Sequence, residues 1–205
     1  MVHAMNAGVE LVRAYLQING YFTVTELPVI RETRSGYEEM TDLDVLGVRM
    51  PWAALAIPGG RPGPEDDLHL HVDTSLVSDR SRIDVIIGEV KEGKPRVNDR
   101  MRSRDALLTA LRRVGLLPES RLGSVVDELQ HRGVAVRTKD VFAPFRIRIL
   151  AFGHGEGGGR QGYTVVPLRH VAGFVENFLD RYHDVLKPSD LPGAMGILHL
   201  LRKLR

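Results

Sequence analysis

Residues 83–91 read IDVIIGEVK, a run of β-branched and apolar side chains that closes in a carboxylate, a valine and an ammonium. Such a run fits a buried strand. Side chains alternate along a strand with period two, so Glu89 and Lys91 share a face, roughly 6 to 7 Å apart along it. That spacing suits a ligand held between the two charges. A salt bridge at a strand end is the competing reading.

Outward from this strand the chain forms an ordered series. Residues 6–18 carry Val9, Val12 and Leu16 at helical spacing, and Asn19-Gly20 supplies the stop. The runs YFTVTELPVI (21–30) and DLDVLGVRM (42–50) are β-rich, and RETRSGYEEMT between them reads as a hairpin connection. Residues 51–82 read as an insertion between the second and third core strands. Within it IPGGRPGP (57–64) is too rich in Pro and Gly for regular structure, while DLHLHVD (67–73) alternates as a half-exposed strand. Past IDVIIGEVK, residues 97–114 read as a helix and LGSVVDELQHRG (122–133) as another, with Ser124 its start and Gly133 its stop. FRIRILAFG (145–153) and YTVVPL (163–168) read as strands around a flexible Gly-rich loop at 153–162, and HVAGFVENFLDRYHDVL (170–186) as a helix. The order predicts one α/β domain over 1–205, with a central mixed sheet flanked by helices.

At 205 residues the chain can bury a core without staples, and the absence of cysteine excludes disulfides, thiolate zinc sites and cysteine nucleophiles. No stretch reaches the roughly 18 apolar residues that a membrane span needs. A soluble, cytoplasmic protein is the expectation. The formal net charge is only +2, but Lys91 to Arg113 holds eight Lys or Arg against three acids. A basic block that starts where the strand ends is what a polyanion-binding surface needs. A solvated helix face accounts for the charge equally well. Arg96, Arg100 and Arg104 recur every four residues, a stripe of the expected helix that could track a nucleic-acid backbone.

Asp44 sits between Leu43 and Val45 inside DLDVLGV, where an acid is costly unless it is paired or binds a cation, and Asp42 shares its face. If this strand neighbours IDVIIGEVK, Asp44 and Glu89 converge as hard oxygen ligands suited to Mg²⁺, with Lys91 beside them. Two decoys compete. Asp84 points to the opposite face of its strand, and Glu92-Gly93-Lys94 lies beyond the strand across a glycine.

A helix bearing Glu10, a strand with Asp44 in DLDVLG and a strand ending in Glu89-Val90-Lys91 together resemble the PD-(D/E)XK nuclease superfamily, over roughly residues 6–115. The resemblance implies a restriction-endonuclease-like fold and Mg²⁺ or Mn²⁺ held by Asp44 and Glu89, with Glu10 completing the metal site. It implies that Lys91 orients or activates the attacking water in the hydrolysis of DNA, duplex or branched. Lys94, Arg96, Arg100 and Arg104 then become the nucleic-acid contacts, and a homodimer is an expectation of the resemblance alone. The chain departs from the pattern in the long separation of Asp44 from Glu89. A non-catalytic module on the same fold that binds nucleic acid or serves assembly, its strand-end charges merely paired, is the second reading.

Rival constellations are less specific. His69 and His71 share a strand face with Asp67 and Asp73, an array open to Zn²⁺ but more often the wet side of a strand. GHGEGGGRQG (153–162) lacks the Gly-Lys-Ser/Thr ending of a phosphate-binding loop. The helices around LLPESRLGSVVDELQHRG need only cover a sheet, without a helix-turn-helix role. The basic tail ILHLLRKLR has a packed terminal helix as its plain reading.

Overall fold

The structure, a computed structural model, describes residues 6–53, 55–58, 68–155 and 162–182 together with 184, 186, 187, 193, 196 and 198, with the backbone alone at 55–58 and 68–71. Asn6 opens helix α1 (Ala7–Ile18): its side-chain oxygen accepts the otherwise orphaned N–H groups of Gly8 and Val9. The chain turns at Gly20, φ 84°, into β1 (Phe22–Thr33), which pairs antiparallel with β2 (Gly36–Arg49). Most of RETRSGYEEMT is therefore strand, and only Arg34-Ser35 joins the two. Its charges read as a loop because this part of the hairpin is largely exposed and shows no apolar alternation.

Between β2 and β5 (Ile83–Val90), β3 (Leu55–Pro58) and β4 (Leu68–His71) form a separate two-stranded antiparallel sheet. Ile57 and Pro58 of IPGGRPGP thus do enter regular structure, while residues 59–67, Asp67 included, and the side chains of His69 and His71 lie outside the described residues. Asp73 follows the strand and is buried, not on a wet face.

The remaining elements are α2 (Arg104–Val114), α3 (Glu119–Arg132), β6 (Val134–Arg137), β7 (Phe145–Gly153), β8 (Thr164–Pro167) and α4 (Leu168–Tyr182). They complete a six-stranded mixed sheet in the order β1-β2-β5-β7-β6, in which β6 pairs Phe145–Arg148 and β8 pairs Leu150–Gly153 of the same β7. β5 and β7 run parallel, so the α2–α3 pair and β6 lie along the crossover that parallel neighbours require.

Two expected boundaries move. The helix expected over 97–114 begins only at Arg104. The Asn98 side chain accepts the Arg100 N–H, and Ser103, at ψ 154°, caps α2 by accepting from Ala106. Such local side-chain bonds compete with helix. Likewise α3 starts at Glu119 after Pro118, with Ser124 inside it, whereas its stop at Gly133, φ 69°, falls where the sequence puts it. Residues 156–161 of the Gly-rich loop and most of the basic tail lie outside the described residues.

All eight residues of β5 are buried, and the strand divides the core. Ile83, Val85 and Ile87 pack with Leu107, Leu111, Val126 and Leu129 of α2 and α3, while Ile86 and Val90 pack with Val12, Leu16, Val175 and Leu179 of α1 and α4. Each such side chain contributes roughly 1.5–3 kcal/mol by leaving water. Asp84 sits on the α1–α4 face, where it accepts from Arg146, Arg148 and the Tyr21 hydroxyl, the last at 2.5 Å. Burial would raise its carboxyl, but the two guanidinium groups outweigh it and hold the group below the usual range. Among the described residues no helix is long and apolar enough to cross a membrane.

Candidate active site

The β2–β5 ladder runs from Arg49 opposite Asp84 to Val45 opposite Gly88 and stops there, one step short of Asp44 and Glu89. The Lys91 N–H donates to Phe152 O on β7 at 2.8 Å, so the Val90 N–H points the other way, towards β2. The Asp44 carboxylate takes it, Oδ2 accepting at 2.6 Å in place of a backbone carbonyl. On its other side the β1–β2 ladder omits the Glu26–Asp44 pair, and Glu26 adopts φ 53°. Left-handed backbone costs a side-chain-bearing residue roughly 1–2 kcal/mol, and such strain concentrates at functional sites. Asp44 thus occupies a break in both neighbouring ladders.

Glu89 is only 3 % exposed and lies, by strand alternation, on the α2–α3 face. Lys91, exposed past the end of β5, returns its Nζ to Glu89 Oε1 at 2.5 Å. On the opposite face of β5, Gly88 is closely packed: a Cβ there would stand 2.5 Å from Val45 Cγ1 and 3.1 Å from the Phe152 ring. β2 and β7 side chains thus close over the glycine on the α1–α4 side, while Glu89 lies on the other face.

Electrostatically the site is short of positive charge. Burial pushes the Glu89 carboxyl up, against the Lys91 bond, and the nearby Asp44 charge pushes it further. Asp44 is likewise raised by burial, opposed by the Val90 N–H and Lys91, with Asp42 and Glu26 adding repulsion. Burial alone would lower the Lys91 ammonium, but Glu89, Asp44 and Asp42 together hold it above its ordinary value. These are carboxylates that a cation would relieve.

The donor set fits Mg²⁺ or Mn²⁺ in its chemistry: oxygen atoms alone, from one or two carboxylates, for an ion that takes water or phosphate as its other ligands. Among the described residues no group of three or more His, Asp or Glu is gathered to hold a metal, so Glu10 does not complete a three-carboxylate set. Its carboxylate instead bonds Arg13 Nη1 at 2.9 Å, one turn along α1.

Beyond Lys91 the chain forms a basic loop, not a helix stripe. Gly93 O accepts the His154 N–H at 2.7 Å, and a Cβ on Gly153 would stand 2.8 Å from Pro95, so the loop rests directly on the end of β7. Pro95, Val97 and Met101 are buried beneath it, which leaves Lys94 and Arg96 exposed. Arg100 reaches towards Met40 O, and Arg104, the only one of the expected three on α2, pairs with Asp127 at 2.8 Å. Two clefts open here. One of about 470 Å³ is lined by Lys91, Lys94 and Arg96. A second, about 660 Å³, shares Lys94, Arg96 and Asp99 with it and adds Arg102, His131 and Tyr163.

The structure therefore brings Asp44, Glu89, Lys91, Lys94 and Arg96 to one end of the sheet, and it pairs Glu10 with Arg13 and Arg104 with Asp127. Sequence reasoning passed over Glu26, although an acid in the β-rich run FTVTELPVI was open to the argument applied to Asp44. Arg102, His131 and Tyr163 come from distant segments and carry no local signal. No family model matches this chain, and neither the curated proteins nor the solved structures contain a match.

Proposed function

We propose that this protein hydrolyses phosphodiester bonds in DNA with the help of Mg²⁺ or Mn²⁺, on a restriction-endonuclease-like fold. The observation that carries the reading is the meeting of Asp44, Glu89 and Lys91 at the open end of the β2–β5 ladder, beside an exposed basic loop. The elements α1, β2 and β5, which carry Glu10, Asp44 and Glu89 with Lys91, follow in the order on which the resemblance rests, and this supports the fold.

A divalent ion bound by Asp44 and Glu89 would polarise the scissile phosphate and lower the pKa of a bound water. The chain's own residues do the rest. Oδ2 of Asp44 is fixed by the Val90 N–H, which orients Oδ1. Lys91, whose ammonium Glu89, Asp44 and Asp42 hold above its ordinary value, supplies positive charge beside the site, where the phosphate gains negative charge. Its bond to Glu89 holds that charge beside the carboxylate. Lys94 and Arg96 bind the flanking backbone.

The test is cleavage of supercoiled and branched DNA with Mg²⁺, Mn²⁺ or EDTA, alongside Lys91→Ala and Glu89→Ala. Metal-dependent cutting lost in both folded variants is the expected result. Cutting unchanged by both overturns the assignment. The Glu89–Lys91 ion pair itself favours a second reading, a module that binds without cleaving, whose signature is retained binding with no cutting under any metal.

A further inference from the structure

We infer that the basic cleft beyond Lys91 receives an unpaired nucleotide, so that the preferred nucleic acid carries a single-stranded segment next to the scissile phosphate. The inference rests on the reading of Asp44, Glu89 and Lys91 as a phosphodiester-hydrolysing site.

The two clefts share Lys94, Arg96 and Asp99, so a path runs from Lys91 into the larger one. Its volume, about 660 Å³, is that of a pocket for one small ligand. A paired base lies inside its stack and enters such a concavity only after extrusion, at an energetic cost that an unpaired base does not meet. The walls supply both chemistries that a single nucleotide needs: Lys94, Arg96 and Arg102 for phosphate, and the Tyr163 ring for a base face.

Those walls are fixed in place. Arg102 Nη2 donates to Gln130 O while Gln130 Nε2 donates back to Arg102 O at 3.0 Å, which ties the guanidinium to the end of α3. His131 lies 2.7 Å, through Nδ1, from Asp127 O. A carbonyl only accepts, so Nδ1 donates, and this bond fixes the ring on the end of α3. A Cβ on Gly133 would fall 1.8 Å from Gly162 O, so the approach to Tyr163 is pressed against the same helix end.

Charge sets the direction. Residues 26–44 of the hairpin hold six acids and two arginines, whereas residues 91–104 hold six Lys or Arg and two acids. A polyanion is repelled by the hairpin and drawn along the loop into the cleft.

The experiment is fluorescence anisotropy in EDTA, with a short blunt duplex, the same duplex bearing a single-stranded tail, and the free single strand. The proteins are the wild type, the Lys94→Glu/Arg96→Glu double variant and Tyr163→Leu. Tailed and single-stranded DNA should bind about tenfold tighter than the blunt duplex; the charge-reversed variant should abolish that preference, and Tyr163→Leu should weaken single-strand binding by about fivefold or more. Equal binding of blunt and tailed DNA, or a preference that survives both variants, overturns the inference. If Tyr163→Leu does not fold, the double variant at two exposed positions decides alone. Binding is read without metal, so absence of cleavage counts against hydrolysis only, and cleavage with no strand preference counts against the cleft only.

Discussion

Two acids five residues apart on β5 should respond oppositely to removal. Asp84 accepts from Arg146 Nε and Nη2 at 3.0 and 3.1 Å, from Arg148 Nε and Nη2 at 3.3 and 2.6 Å, and from Tyr21 at 2.5 Å. It is wholly buried, and the side chains of Arg146 and Arg148 are only 16 % and 11 % exposed. Asp84→Ala leaves two guanidinium groups without a counter-ion, and breaking a buried pair from one side costs about 3–5 kcal/mol. That is about a fifth or more of the roughly 5–15 kcal/mol by which domains are stable. With a urea slope of about 2 kcal/mol per M, the unfolding midpoint should fall by about 2 M. Glu89→Gln keeps the shape, removes a carboxylate that burial disfavours, and should leave the midpoint within about 0.5 M of wild type while abolishing metal-dependent cutting. Urea titration followed by circular dichroism, run beside the cleavage assay, reads both. Asp84→Ala with wild-type stability, or Glu89→Gln as destabilised as Asp84→Ala, would refute the assignment of one acid to the scaffold and the other to the site.

Gly88→Ala drives a methyl group into Val45 and Phe152 and should cost about 1–3 kcal/mol in urea unfolding, a wild-type midpoint arguing against the close packing described. Protons compete with a divalent ion for Asp44 and Glu89, whose carboxyls are held up chiefly by burial. The rise in Tm with added Mg²⁺ should therefore shrink as pH falls, starting above the ordinary carboxylate range near about 4; a Mg²⁺ shift that does not vary with pH contradicts this. Asp73 is opposed by burial but held down to about 2 by bonds from Ser75, Tyr15 and His170. Its contribution is present above the unfolded value of about 3.9 and lost as pH falls towards 2, so Asp73→Asn should be destabilised at neutral pH and approach wild type in acid unfolding.

The strand IDVIIGEVK was legible because a β-branched run with no polar interruption past Asp84 has few other homes, and strand parity alone set Asp84 apart from Glu89. The pairing of Asp44 with that strand depended on adjacency that no local pattern encodes; the register supplies it. Residues 97–103 misled because Val97 and Met101, four apart and both buried, mimic a helical stripe although they anchor an irregular loop. The signals against helix were present in Asn98 and Ser103, whose side chains close turns and caps, but they are weaker than apolar spacing. Glu26 was beyond reach in one respect: its backbone conformation follows from the pairing around it, not from its neighbours in sequence.

The left-handed Glu26 lies two residues before Pro28 on β1, the strand at one margin of the sheet. A margin strand of twelve residues is a template for another strand, in this chain or in a second one. Here the proline withholds a donor, the kink at Glu26 interrupts the row, and Arg31 and Glu32 charge what remains. The same irregularity that breaks the β1–β2 ladder beside Asp44 therefore also makes that margin a poor template for fibre-like growth.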